Sequence, residues 1–278
     1  MNIHIDRDTH ALLQMRCIVR IPIGSHLYKI ANFDSDKDLL CIYTPNRAEL
    51  SSVIQTHHQL QYKDEEKKID YIYTSLPQFL RNLINGDSTI NFEALFHPKM
   101  AEGFMNKIWR HRYDFITYNL IKCYLGMAKR DLKQIRSLNT DKEKWDKLAH
   151  VVRGTEIAGL LLDTNGFSLS VFEVGHPFRE NLKTLRDRAD WQFHCELSQK
   201  LRTDYEAKMN DIRNELTSRF AAGDIKAIPS PSVLKDLDKI IVNAVNADWN
   251  YDPQSLEILD RKDYLDYFYD AAYNGIKY

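Results

Sequence analysis

The residues best suited to chemistry lie in one segment, Ile23–Tyr43, which reads IGSHLYKIANFDSDKDLLCIY. An apolar strand ends there at Gly24-Ser25, ten residues intervene, and Asp36-Lys37-Asp38 then enters the next apolar run. On one strand, residues two apart project from the same face with their Cα atoms about 6.6 Å apart. Asp36 and Asp38 can therefore converge on divalent ions. Mg²⁺ prefers hard oxygen ligands, keeps several waters, and is usually held by one or two carboxylates together with substrate phosphates. A Gly-Ser turn complements such a site: without a Cβ the main chain approaches phosphate closely, and backbone N–H groups and the Ser25 hydroxyl can grip it. Asp70, in KKIDYIYT, is the candidate third carboxylate. Taken singly, Gly24-Ser25 is an ordinary turn, DSDKD a solvated loop and Asp70 a strand residue facing water. Their order along the chain is what points to phosphoryl transfer.

Three runs must position these residues. Arg16–Ile23 and Asp38–Thr44 read as strands, stopped by Gly24-Ser25 and by Pro45-Asn46. Lys67–Thr74 alternates, with Ile69, Tyr71 and Tyr73 on one face and Asp70 and Ile72 on the other. A short helix is expected over 48–58. SLPQFLRNLINGD carries a full set of helix signals: Ser75 as N-cap, Pro77 in the first turn, Gly86 as the stop. From Lys99 to His176 there is no proline, and apolar residues from Phe104 to Ile135 recur at helical spacing. One long helix is expected there, with Gly126 inside it. Further helices are expected over 144–162, 178–191, 198–222 and 233–246, with Pro229 and Pro231 marking a turn. The reading is an α+β chain: a nucleotide-handling core at 1–98, a helical domain at 99–250 and a tyrosine-rich tail at 251–278.

Composition narrows the function classes. The 278 residues carry 38 Lys and Arg against 39 Asp and Glu, a formal net charge of −1, so no bulk basic surface draws the chain onto long duplexes. No apolar run approaches the length of a membrane span, and the N-terminus lacks an apolar signal region. A soluble, cytoplasmic protein without direct membrane insertion is expected. Cys17, Cys41, Cys123 and Cys195 are scattered without zinc-ligand spacing and read as reduced, mostly buried small apolar residues.

The order strand, GS, DxD strand, Asp strand resembles the DNA polymerase β-like nucleotidyltransferase superfamily, with Lys37 in place of the usual apolar middle residue. More narrowly, GSHLYKIANFDSDKD and KKIDYIYTSLPQFLRNLINGDSTINFEALF look like its branch of predicted nucleotidyltransferases associated with RNA repair. YLGMA at Tyr124–Ala128 and KLAHVVR at Lys147–Arg153 resemble that branch's helical half, so the likeness spans about residues 16–190. It implies a mixed-sheet palm carrying Asp36, Asp38 and Asp70 as catalytic metal ligands for Mg²⁺ (or Mn²⁺), with a helical domain closing over the nucleotide. It also implies that Gly24 and Ser25 grip the β and γ phosphates; His26 follows directly and either approaches the same phosphates or is a structural residue of the turn. Lys122, Lys129, Arg130 and Arg153 are the basic residues that can neutralise triphosphate charge if they face inward. Trp109, Tyr113 and Tyr118 are aromatic residues that either stack a base or pack the core.

The last residue, Tyr278, ends the tail RKDYLDYFYDAAYNGIKY. A terminal phenol on a short tail can enter a polymerase site in place of a primer hydroxyl. With a polymerase-β-like core, this is similar to the nucleotidyltransferases of the Hailong anti-phage systems. That resemblance implies dATP as the favoured substrate, single-stranded DNA oligomers as product, and a membrane ion-channel effector that binds them. The competing expectations are addition of nucleotides to an RNA 3′ end, transfer of a nucleotide to a protein, and a catalytically silent nucleotide-binding module.

Overall fold

The computed structural model describes residues 2–31, 35–45, 59–188 and 195–249. The chain opens with strand β1 (Asn2–His4), helix α1 (Arg7–Met15), strand β2 (Cys17–Pro22) and the one-turn helix α2 (Gly24–Leu27). Strand β3 (Lys37–Tyr43) follows, then β4 (Gln59–Asp64) and β5 (Ile69–Ser75). The five strands form one mixed sheet in the order β1-β4-β5-β3-β2. β3 and β5 run parallel, whereas β2 and β4 are antiparallel to them. Sequence alternation captures β2, β3 and β5 but not β1 or β4. QLQYKD has no apolar stripe, and β4 exists because a tight turn folds it back on β5: the Asp64 side chain accepts the Lys67 amide at 3.1 Å, and Lys68 takes a left-handed φ of 52°. The short helix expected over 48–58 and the tail at 251–278 lie outside the described residues.

The two sheet faces have different partners. Cys41, Tyr43 and Tyr73 pack under α1 with Leu13. Ile21, Leu40, Ile42 and Ile72 point the other way, into a core shared with the helices. Those helices are α3 (Leu76–Asn85), α4 (Thr89–Leu95), α5 (Asn106–Trp109), α6 (Tyr118–Gln134), α7 (Asp141–Thr164), α8 (Pro177–Arg186), α9 (Cys195–Ala221) and α10 (Pro231–Trp249). This is an α+β architecture in which residues on both sides of position 98 share one core.

Local signals explain most helix ends. Ser75 caps α3 by accepting from the Gln78 amide, and Gly86 closes it at φ 68°. Gly86 has a second reason to be glycine: a Cβ there would sit 2.3 Å from the Leu120 backbone nitrogen, so α3 ends directly against α6. Thr140 and Glu143 form a reciprocal capping box at the start of α7.

The long helix expected across Phe104–Ile135 is not formed. The chain makes 3₁₀ turns at Pro98–Ala101 and Gly103–Met105, then α5, and only enters α6 at Tyr118. Two devices force the break. Thr117 caps α6 by accepting the Leu120 amide, and the Tyr118 amide donates to the Lys226 carbonyl at 2.9 Å instead of continuing a helical ladder. Phe115 and Ile116 are buried all the same, so their apolar spacing records the core and not a helix face. The helix expected over 178–191 ends at Arg186.

Candidate active site

Asp38 and Asp70 are direct register partners on parallel β3 and β5, and Lys63 is the register partner of Asp70 on β4. Register partners share a face, so Lys63, Asp70 and Asp38 form one row across three strands. One step along, Gln61, Ile72, Leu40 and Ile21 form the next row on that face, which enters the helical core. The acids therefore sit at the margin of the core, anchored by the apolar residues behind them on the same strands. Asp36 lies one residue before β3 and is exposed, so it flanks the row from the loop instead of sharing the strand's pleat.

The turn after β2 closes on this row. Gly24 has φ +61°, and a Cβ there would stand 3.0 Å from the Asp38 Oδ2. Glycine thus leaves open the space beside the Asp38 carboxylate. The Ile23 amide donates to the Asp38 carbonyl at 3.0 Å, tying the end of β2 to the start of β3. Burial holds the Asp38 carboxyl above the usual carboxylate range; the Asp70 and Asp36 carboxylates push it further, and His26 acts against them. Among the described residues, Asp70 Oδ1 and His26 Nε2 are buried without a hydrogen-bond partner. Two neighbouring carboxylates, one oxygen unpartnered and one proton affinity raised first by burial and then by repulsion, form a site short of positive charge.

These features fit a divalent cation with a phosphate ligand. No three His, Cys, Asp or Glu side chains among the described residues are gathered to hold a metal on their own. The donors on offer are Asp38 and Asp70 with Asp36 beside them, which matches an ion that completes its shell with substrate oxygens and water.

A second cluster lies behind the turn. Tyr28, at the end of α2, donates its hydroxyl proton to Glu93 Oε2 at 2.5 Å and accepts from Arg153 Nη1 at 2.5 Å. Arg153 Nη1 also reaches Glu93 Oε1 at 2.7 Å, and the Tyr124 hydroxyl donates to the same oxygen at 2.8 Å. Glu93 is fully buried and Arg153 nearly so. Burial pushes the Tyr28 and Tyr124 phenols well above the ordinary tyrosine range, so both stay protonated as donors. Burial works against the Arg153 charge, but Glu93, with Tyr28, Tyr124 and Asp131, together outweighs it, and the guanidinium holds its proton more tightly than usual.

The structure brings Gly24, His26, Asp38 and Asp70 together, with Asp36 near them and Ser25 within the same turn. Arg153 is committed to Glu93 and Tyr28. Lys122 is exposed on α6, with its Nζ 5.7 Å from the Tyr118 ring centroid, and the Tyr118 ring packs tilted against Phe220 of α9. Trp109 and Tyr113 flank the Arg112 guanidinium, at 3.6 and 4.4 Å from their centroids. Tyr278 lies outside the described residues. Sequence reasoning missed Lys63, whose ammonium is held charged by Glu65 first and Asp70 second. Its only sequence signal was the weakly patterned strand β4. It also missed Glu93, which a charged residue inside the apolar helix INFEALF does flag.

Among the described residues no helix is long and apolar enough to cross a membrane. No curated protein and no solved structure matches the chain significantly. A family model, described as RNA repair pathway DNA polymerase beta family (RlaP), matches residues 4–188. That stretch is more than half of the 278 residues and contains the acid row, the Gly24 turn and the Glu93–Arg153 cluster, and the chain belongs to this family of polymerase-β-like nucleotidyltransferases.

Proposed function

We propose that the protein transfers a nucleotidyl group from a nucleoside triphosphate to a hydroxyl acceptor, with Mg²⁺ or Mn²⁺ held by Asp38, Asp70 and Asp36. The observation that carries this reading is the in-register Asp38–Asp70 pair facing a glycine whose missing Cβ keeps the space beside Asp38 open. A bound divalent ion would supply charge neutralisation for the triphosphate and acidify the attacking hydroxyl. In the transfer itself, the acceptor hydroxyl releases its proton to water, its oxygen bonds the α-phosphorus as the bond to the β-phosphate oxygen breaks, and pyrophosphate leaves with that electron pair. Asp38 and Asp70, fixed by strand pairing, would hold the ion beside the reacting phosphate; Gly24, Ser25 and His26 would contact the departing phosphates; Lys63 adds positive charge next to Asp70.

The family's description supports an RNA 3′ end as acceptor. Priming on Tyr278, with polymerisation of dATP into single-stranded DNA in anti-phage defence and a membrane channel as the responder, is the competing acceptor reading.

The test is incubation of the purified chain with each labelled nucleoside and deoxynucleoside triphosphate and Mg²⁺, with and without an RNA bearing a free 3′ hydroxyl. Denaturing electrophoresis and mass spectrometry then locate the label. Label on the RNA 3′ end, lost in Asp38→Asn, is expected. Label on the C-terminal peptide without RNA would transfer the acceptor role to Tyr278. No incorporation under any condition, or full activity in Asp38→Asn, would overturn the reading.

A further inference from the structure

Helices α7 and α8 together place arginines on three consecutive residues, Tyr28, Lys29 and Ile30. Arg153 donates to the Tyr28 hydroxyl, as described. Arg179, buried on α8, donates to the Lys29 carbonyl through Nε at 3.0 Å and Nη2 at 2.5 Å. Its remaining nitrogen, Nη1, bonds Glu180 at 2.6 Å, which fixes the plane of the guanidinium. Arg186 Nη1 reaches the Ile30 carbonyl at 3.4 Å while its Nε faces Asp146 at 3.5 Å.

The same three residues hold the phosphate turn. The amides of Tyr28, Lys29 and Ile30 donate to the carbonyls of Gly24, His26 and Ser25, at 3.1, 3.3 and 3.0 Å. Between these two sets of bonds Lys29 adopts φ 54°, the left-handed conformation of a helix end, which is uncommon for a residue with a Cβ. A continuous chain of contacts runs from the arginines through 28–30 to Gly24–His26, and the adjoining Ile23 amide ties the turn to the Asp38 carbonyl.

We propose that Arg179 and Arg186, acting with Arg153, are positioning residues: they lock the corner at Lys29 and thereby set the Gly24–His26 turn against Asp38. The role in catalysis rests on the nucleotidyl-transfer reading above; the mechanical role does not. The helical half thus acts on the triphosphate through the backbone of the turn. Guanidinium fits this task because its planar fork bonds one carbonyl from two nitrogens, which an ammonium cannot do in the same fixed geometry.

The test uses the full chain and the variants Arg179→Lys and Arg179→Lys/Arg186→Lys, which keep charge. Amide hydrogen exchange is read on peptides covering 24–31, with peptides from 76–95 and 118–134 as internal references, alongside Mg-ATP affinity by calorimetry. Roughly tenfold faster exchange confined to 24–31 is expected, with about tenfold weaker Mg-ATP binding and reference peptides unchanged. Adding Lys29→Gly to Arg179→Lys should restore much of the affinity, because glycine holds the left-handed corner without being forced.

Unchanged exchange at 24–31, or acceleration spread equally over the reference peptides, would overturn the proposal. So would loss of Mg-ATP affinity that Lys29→Gly does not recover. If the unmodified chain binds no triphosphate, the nucleotidyl-transfer reading falls, while the exchange pattern still decides whether the arginines hold the turn.

Discussion

Replacing Arg153 with Met should destabilise the protein far more than a surface substitution. Glu93 is 0% exposed and its carboxylate is met by Arg153, Tyr28 and Tyr124, all within 2.8 Å. Removing the arginine leaves a buried carboxylate with two neutral donors and no counter-charge, a change that costs about 3–5 kcal/mol. For a chain of this size, at roughly 2–3 °C per kcal/mol, Tm should fall by about 6–15 °C. Glu93→Gln/Arg153→Met, which removes both charges, should recover more than half of that loss, because desolvation of the pair largely cancels its attraction. Differential scanning calorimetry at neutral pH measures all three proteins. A drop under 2 °C for Arg153→Met, or a double variant worse than the single one, would show that the Glu93 charge is not sealed in the core as described.

Asp38→Asn should abolish nucleotide transfer yet raise the Tm of the cation-free protein. The folded pKa of Asp38 lies above its unfolded value, so stability from its protonated form is present below about pH 4 and lost as pH rises through the raised value. At pH 7 the ionised group is a net cost, and its removal should add about 0.5–2 kcal/mol by calorimetry. A lower Tm would refute the repulsion. Millimolar Mg²⁺ should raise the Tm of the unmodified chain and leave Asp38→Asn nearly unmoved; equal shifts in both would place the ion elsewhere. Gly24→Ala should reduce transfer at least tenfold and lower Tm by a few degrees, since its Cβ meets a side-chain oxygen at 3.0 Å and φ +61° costs a Cβ-bearing residue about 1–2 kcal/mol; normal kinetics would show that the space beside Asp38 is not used. The Tyr28 phenol has a folded pKa well above the unfolded value near 10, so its contribution is intact below pH 10 and lost as pH climbs from there. Tyr28→Phe should therefore flatten the fall of Tm between about pH 9.5 and 11; parallel curves would remove Tyr28 from the network.

Sequence was informative wherever one local signal decides the outcome. Ser75, Pro77 and Gly86 bracket α3 because caps and stops act within a few residues. Alternation in KKIDYIYT separated Asp70 and Ile72 from the tyrosine face, because strand period depends only on the backbone. It was uninformative where partners are distant. Strand β4 depends on pairing with β5 more than on its own pattern, and the break before α6 depends on the Lys226 carbonyl, over a hundred residues away from Tyr118. Arg153 was legible as a basic residue near a nucleotide site, but only the fold shows that Glu93 already matches its charge. Arg179 and Arg186 carried no signal at all, since they bind backbone carbonyls whose positions no side-chain pattern encodes.

The placement of the acid row explains why so much of the helical half is spent on holding a four-residue turn. Two carboxylates in register repel, and a flexible scaffold would relax by letting the strands slip or the side chains turn to water. Slippage is opposed because Leu40 and Ile72, two residues along the same strands, are locked in the shared core, and a one-residue shift would expose them. On the other side the turn after β2 is tied to β3, where the Ile23 amide donates to the Asp38 carbonyl. That turn has only one helical turn of its own structure, too little to hold a conformation in water. Its rigidity has to come from elsewhere, and the available source is the buried Tyr28–Glu93–Arg153 cluster with the arginines of α8. The fold thus keeps like charges close by attaching both the strands that carry them and the loop that faces them to the same core, and the proposed cation would relieve the repulsion between them.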